Sequence, residues 1–226
     1  MEQVITTSAF EPVFQPVADL CTREIVGFEG LTRFSDGTPP DVRFKEAAET
    51  GMGVPLELAT ALAAIDAAAE LEPGLFLSVN VSPALILEHH TAALAAGVGS
   101  RPLVLELTER DPVDDYGALA RVLDGEHVTL AVDDAGAGYS SLRHILALRP
   151  SYIKLDITWV RGIDDDPARQ ALVAGIHHFA TLTNCRIVAE GVETETEADA
   201  LRRLGVDFGQ GFLFGHPEPI DAYRRV

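Results

Sequence analysis

Along this chain, short runs rich in aliphatic and β-branched residues alternate with longer stretches whose apolar positions recur at helical spacing. The runs predict strands over 12–19, 24–31, 75–81, 103–108, 128–133, 152–157, 186–191 and 207–213. Helices are predicted over 42–50, 55–71, 84–96, 113–124, 140–147, 167–183 and 195–204, with a short turn after Pro219. This alternation is the pattern of repeated βα units around a parallel sheet. The first two strands depart from it: the segment DLCTRE between them is too short for a crossover helix, so they pair antiparallel. Eight strands and eight helical stretches then predict a barrel with an irregular start.

Strand side chains alternate between faces, so in a barrel one set fills the lumen and the other packs on the helices. In LFLSVNV, Leu77, Val79 and Val81 share one face and Ser78 and Asn80 the other. LVLELT sets Glu106 on the parity of Val104 and Thr108, and VTLAVDD sets Asp133 on that of Thr129 and Ala131. YIKLD places Lys154 with Tyr152 and Asp156, and IVAEG places Glu190 with Val188. Glu29 ends IVGFEG with Arg33 on the same parity, and Gln210 lies within DFGQGF. Glu29, Asn80, Glu106, Asp133, Lys154, Glu190 and Gln210 are therefore aimed into one mouth, at the C-terminal face where barrels of this architecture carry their sites.

Composition narrows what that mouth can be. A length of 226 residues suits one large α/β domain spanning 1–226. At 47% hydrophobic and 23% charged, the chain has the makings of a sizeable core and not of a disordered segment. The formal charge of −18 argues against a DNA or RNA polymer or an anionic membrane as partner, because both require basic patches. A small anionic ligand stays open if metal ions reverse the local field. There is no apolar run of the ~20 residues a membrane span needs, and the start MEQVITTSAFEP has no basic stretch leading into an apolar core, so a cytoplasmic protein is expected. Cys21 and Cys185 lack metal-type spacing and read as packing thiols in a reducing compartment.

Other features attract bland readings. Asp164 to Asp166 suit a solvated loop and helix start, where acids complement the helix dipole. The GAG of DDAGAG lacks the third glycine and distant acid of a dinucleotide-binding turn. His177 and His178 fall on a helix outside the mouth, and Trp159 and Tyr139 fit core packing or a dimer face equally well.

The mouth itself resists a bland reading. Singly, Asp134 suits a turn cap, Glu29 or Glu106 a buried pair with Arg33 or Lys154, and Asn80 a backbone contact. Jointly, Glu29, Glu106, Asp133, Asp134 and Glu190 against Arg33 and Lys154 leave excess buried negative charge. Oxygen-only donors favour hard ions such as Mg²⁺ or Mn²⁺ over zinc. Adjacent Asp133 and Asp134, where a strand breaks into a glycine-rich turn, suit two neighbouring ions, an arrangement fitted to attack of water on a phosphodiester.

These residues carry a resemblance. FEGLTR resembles the signature motif of EAL-domain cyclic di-GMP phosphodiesterases, and NVSP, ELTE, DDAGAGYSSL, IKLD, AEGVE and GQGFLFGHP follow in that family's order, from Phe14 to Pro217. The resemblance implies a TIM-type (β/α)8 barrel with an antiparallel first strand, cleaving cyclic di-GMP to the linear dinucleotide with two divalent metal ions. It implies that Glu29, Asn80, Glu106 and Asp133 hold one ion, with Asp133 and Asp134 sharing or holding the second. Glu190 is implied as ligand or base near the attacking water, Lys154 as a contact to water or scissile phosphate, and Gln210 as an assistant at the same centre. Gln15, Arg33 and Asp156 are implied on the ligand side, and Glu109 as a brace for the loop after Asp134. Departures from the family pattern fall at Gly30, Ala135, Ala137, Phe212 and His216, none of them an implied metal ligand. Those at Ala135 and Ala137 fall in the loop that in this family couples dimerisation to activity, so they bear on loop order and regulation and not on the chemistry; a homodimer is among the partners the resemblance implies. Two other classes compete with the enzyme: a catalytically weak receptor for the same nucleotide, and an unrelated metal-dependent barrel enzyme, which leaves NVSP and the double Asp unexplained.

Overall fold

The computed structural model describes residues 1–88, 91–107, 113, 115–126, 129–135 and 139–223. After a short helix α1 (Glu2–Thr6), strands β1 (Phe10–Asp19) and β2 (Ile25–Phe34) form the antiparallel pair, in register from Phe10↔Phe34 to Ala18↔Ile25. Strands β3 (Phe76–Val81), β4 (Leu103–Leu107), β5 (Thr129–Ala135), β6 (Tyr152–Leu155), β7 (Arg186–Ala189) and β8 (Phe208–Gln210) follow in parallel from β2. β8 pairs antiparallel with β1 through Val17↔Gln210 and closes an eight-stranded barrel. The order around the barrel is the order along the chain, which is the expected TIM-type architecture with its antiparallel first strand.

The helices are α2 (Pro40–Glu49), α3 (Gly53–Ala68), α4 (Pro83–Leu87), α5 (Thr91–Gly97), α6 (Tyr116–Glu126), α7 (Tyr139–Leu148), α8 (Ile157–Val160), α9 (Pro167–Thr183) and α10 (Glu195–Arg203). Period-two alternation sorts the strands between two environments. Leu77, Val79, Leu105 and Leu107 face outward onto Ala64 and Ile65 of α3 and Leu85 and Ile86 of α4, all buried. Ile153, Leu155, Ile187 and Ala189 do the same against Val173 of α9 and Leu201 of α10. Within the barrel, the Tyr152 ring lies 6.1 Å from those of Phe76 and Phe208 and, with Val17 and Val188, forms an apolar floor. Gly27 of β2 makes room for it: a Cβ there would fall 2.4 Å from the Phe76 ring.

Several boundaries differ from the sequence expectation for identifiable reasons. The helix expected over 84–96 is two, because Ser82 caps a one-turn α4 by accepting from Leu85 N–H, and α5 starts afresh at Thr91. The strand expected over 152–157 stops at Leu155, where Asp156 becomes the N-cap of α8, its Oδ1 accepting from Thr158 N–H at 2.8 Å. The strand expected over 207–213 ends at Gln210, since Gly211 at φ 154° turns the chain so close to Val192 that a Cβ would lie 2.2 Å from its carbonyl oxygen. α1 is absent from the sequence expectation; its Val4 and Ile5 pack against the cluster of Phe10, Phe34, Ala47 and Leu56, a context no local pattern carries.

One buried acid is fully accounted for by the fold. Glu197, at N3 of α10, accepts backbone N–H groups of Gly162 at 2.9 Å, Glu193 at 3.0 Å and Thr194 at 3.1 Å, and completes a capping box with Thr194. Burial pushes this carboxyl up, but the three donors outweigh burial and hold it below the ordinary glutamate range. His177 packs on Gly205, His178 is exposed, and Trp159 is half-buried against the second helix layer, while the side chain of Tyr139 lies outside the described residues. Among the described residues no helix is long and apolar enough to cross a membrane.

Candidate active site

Lumen-facing parity brings seven of the expected residues to one place above the apolar floor. Lys154 of β6, 2% exposed, stands in the centre. Its Nζ lies 2.6 Å from Glu190 Oε1, 3.4 Å from Asp133 Oδ1 and 3.5 Å from Glu29 Oε2, and is in closest contact with Glu106 Oε2. Glu29 is the hub of a hydrogen-bond net: its Oε1 accepts from Asn80 Nδ2 at 2.9 Å and its Oε2 from Gln210 Nε2 at 2.6 Å. Gln210 Nε2 also donates to Gln15 Oε1 at 3.0 Å, and Gln15 Nε2 donates to the Gly215 carbonyl at 3.3 Å. β1 thereby joins the site through Gln15, directly across the hairpin from Glu29.

Four carboxylates around one ammonium do not balance. Burial pushes Glu106 well above the usual carboxylate range, and Glu29 and Asp133 push it further despite Lys154. Glu190 rises to about 8, through burial first, with Asp133 and Glu29 adding to it against the pull of Lys154. Glu29 goes the other way: burial raises it, but Lys154, Gln210 and Asn80 together lower it. Burial alone would lower Lys154, yet Asp133, Glu106, Glu190 and Glu29 raise it well above its ordinary value, so it stays charged. The protein supplies one fixed positive charge here, so the four acids ionise together only when further cations join them, and among the described residues the buried Gln210 Oε1 has no hydrogen-bond partner. Hard divalent cations fit this oxygen-only donor set. As placed, the acids converge on the ammonium, and among the described residues no three His, Cys, Asp or Glu side chains are already gathered as a metal cage.

The mouth opens into a groove of about 1100 Å³ lined by Glu29, Asn80 and Asp133 at the acidic end and by residues of β2, α2 and α3 elsewhere. Arg33 lines it, exposed, with Nη2 donating to the Pro217 carbonyl at 2.7 Å. Asp156 is held apart from the acid cluster's net by its capping bond to Thr158. Asp134 follows Asp133 on β5 with its side chain outside the described residues, and Glu109 lies outside them altogether. Sequence reasoning missed Glu57 of α3, which lines the groove and accepts from Ser82 N–H at 3.1 Å and Ser82 Oγ at 2.8 Å. It also missed Asp41 and Lys45 on α2. The one signal available was that Lys45 and Lys154 are the only two lysines in the chain.

A closed barrel with an antiparallel first strand and an acid-ringed lysine at its C-terminal mouth defines the class, and the family follows from comparison. The EAL domain model matches residues 1–217, and the chain belongs to that family. Among curated relatives, the cyclic di-GMP phosphodiesterase PdeL of Escherichia coli K12 is 32% identical over 231 residues, covering 95% of this chain and 64% of that one. The chain spans about half the length of the curated relatives it matches. Among solved structures, Klebsiella pneumoniae BlrP1 in a manganese and cyclic di-GMP complex superposes with a TM-score of 0.82 at 30% identity, over 93% of this chain and 56% of that one. The PaMucR phosphodiesterase in complex with c-di-GMP gives 0.81 at 29% identity, over 98% and 96%.

Proposed function

We propose that this chain, taken as one domain over 1–226, hydrolyses one phosphodiester of cyclic di-GMP to the linear dinucleotide pGpG, with two divalent ions, Mg²⁺ or Mn²⁺. The observation that carries the reading is the cluster of four carboxylates on Lys154, two of which, Glu29 and Asp133, line a groove large enough for a dinucleotide. The relatives named for this activity, and the neighbours holding manganese or calcium with the nucleotide, support it.

Glu29, Asn80, Glu106, Asp133 and Asp134 would hold the ions, which supply charge neutralisation on the transferring phosphoryl group and acidify a bound water. The protein's own groups do the rest. Lys154, kept charged by its acidic neighbours, donates hydrogen bonds to the scissile phosphate or the attacking water. Glu190 borders the same water, as ligand or as proton acceptor, and Gln210 keeps Glu29 oriented through its 2.6 Å bond. Gln15, Arg33 and Asp156 serve the ligand side, and Glu109 braces the loop after Asp134. The same reading places the protein in the cytoplasm and pairs it as a homodimer, for which Leu142 and Leu146, exposed one turn apart on α7, offer an apolar stripe.

Purified protein incubated with cyclic di-GMP and Mn²⁺ tests this. Accumulation of pGpG, lost in Glu29→Ala, is the expected result. Tight binding without turnover would identify a receptor instead, and neither binding nor turnover an unrelated barrel enzyme. Sedimentation of the same sample reads the oligomeric state.

A further inference from the structure

The groove carries chemistry that phosphodiester cleavage does not use. Beyond its acidic end it is walled by Phe34, Pro39, Phe44 and Ala61, and two charged residues of α2, Asp41 and Lys45, line the same space. Four residues apart, they share one face of the helix. Both are exposed, and among the described residues neither side chain has a hydrogen bond or an ion pair. Arg43, between them in sequence, is committed elsewhere: it pairs with Asp36 and Glu46, donates to Thr38 Oγ1 at 2.7 Å and lies over the Phe34 ring. In a chain of net charge −18 with only two lysines, one lysine sits among the acids and the other lines the groove that Glu29 and Asp133 also line, unspent.

An apolar wall with one donor and one acceptor beside it matches a flat heteroaromatic base better than a phosphate. A phosphate would gain nothing from the aromatic wall and would be repelled by Asp41. Guanine presents acceptors at O6 and N7 and donors at N1–H and the 2-amino group. Adenine carries an amino donor where guanine has O6, so the ammonium would meet a donor and the match would fail.

We infer that Asp41 and Lys45 form a guanine-reading pair in the groove, Lys45 Nζ donating to the O6 or N7 edge of one base and the Asp41 carboxylate accepting from its N1–H and 2-amino group. This rests on the reading that the substrate is cyclic di-GMP, and it adds the residues that choose guanine over adenine.

The test uses the whole chain with Mn²⁺, and cyclic di-GMP and cyclic di-AMP as ligands, measuring turnover and equilibrium binding for wild type, Lys45→Met and Asp41→Ala. Each substitution is expected to raise KM for cyclic di-GMP about tenfold, with kcat within about twofold, and to narrow the preference over cyclic di-AMP by a similar factor. Lys45→Arg is expected to keep the preference. Since both side chains are exposed, melting temperatures should not move. If the chain binds without turnover, the same factors are read in dissociation constants. Unchanged constants in both variants would overturn the pair while leaving the substrate reading intact, and so would an equal loss toward both nucleotides, which marks mere charge attraction. A wild-type chain that neither binds nor cleaves cyclic di-GMP would overturn the substrate reading and the pair with it.

Discussion

Two buried glutamates show what separates scaffold from site in this molecule. Glu197 is 5% exposed and Glu106 is 3% exposed, yet their environments are opposites. Glu197 brings its compensation with it, in three backbone N–H donors and no cation, and its proton affinity falls. Glu106 shares a single lysine with three other acids, and its proton affinity rises. A carboxylate satisfied by its own fold holds structure, whereas one that the fold leaves short of positive charge, with its proton affinity raised, marks a candidate site.

Four experiments break or sharpen this contrast, from the largest effect down. Asp133→Asn, which weakens a proposed ion-holding position, is expected to cut turnover by on the order of a hundredfold or more while nucleotide affinity changes far less. Activity equal to wild type would remove the two-ion proposal. Next, saturating Mn²⁺ is expected to raise thermal stability, by about 2.7 kcal/mol at a hundred times the dissociation constant, and a chelator to reverse it; Glu106→Gln should blunt this shift, and Glu197→Gln should leave it intact. Glu197→Gln is instead expected to cost about 1–3 kcal/mol in denaturant unfolding, because it strips charge from three charge-assisted bonds. The smallest effect is in pH. Glu197 has a lowered folded-state value, so its contribution is fully present above the ordinary glutamate value of 4.5 and fades as pH falls through the lower folded value. The wild type should therefore lose stability more steeply than Glu197→Gln below about pH 4.5.

The acidic half of this contrast was legible in the sequence because strand parity is a hard geometric rule. Glu29, Asn80, Glu106, Asp133, Lys154 and Glu190 fall on the lumen side for the same reason that Leu77, Leu105 and Ile153 fall on the helix side. Parity stops where strands stop, and strand ends were the weak point. Asp156 keeps the parity of Lys154 on paper, but β6 ends one residue earlier and Asp156 turns to cap α8. Glu197, Glu57 and α1 were not legible, since each takes its meaning from partners distant in sequence: Gly162, Ser82 and the cluster holding Ala47 and Leu56. The Asp41 and Lys45 pair was hidden differently, because helical spacing relates the two residues to each other but not to a groove that several elements distant in sequence build.

The ring floor of Phe76, Tyr152 and Phe208 has a kinetic corollary. Rings fill the barrel at that level, so a ligand drawn to the acids approaches them from the C-terminal mouth above. Under the proposed reading the substrate and the linear dinucleotide share that mouth, so competitive inhibition by the product is expected.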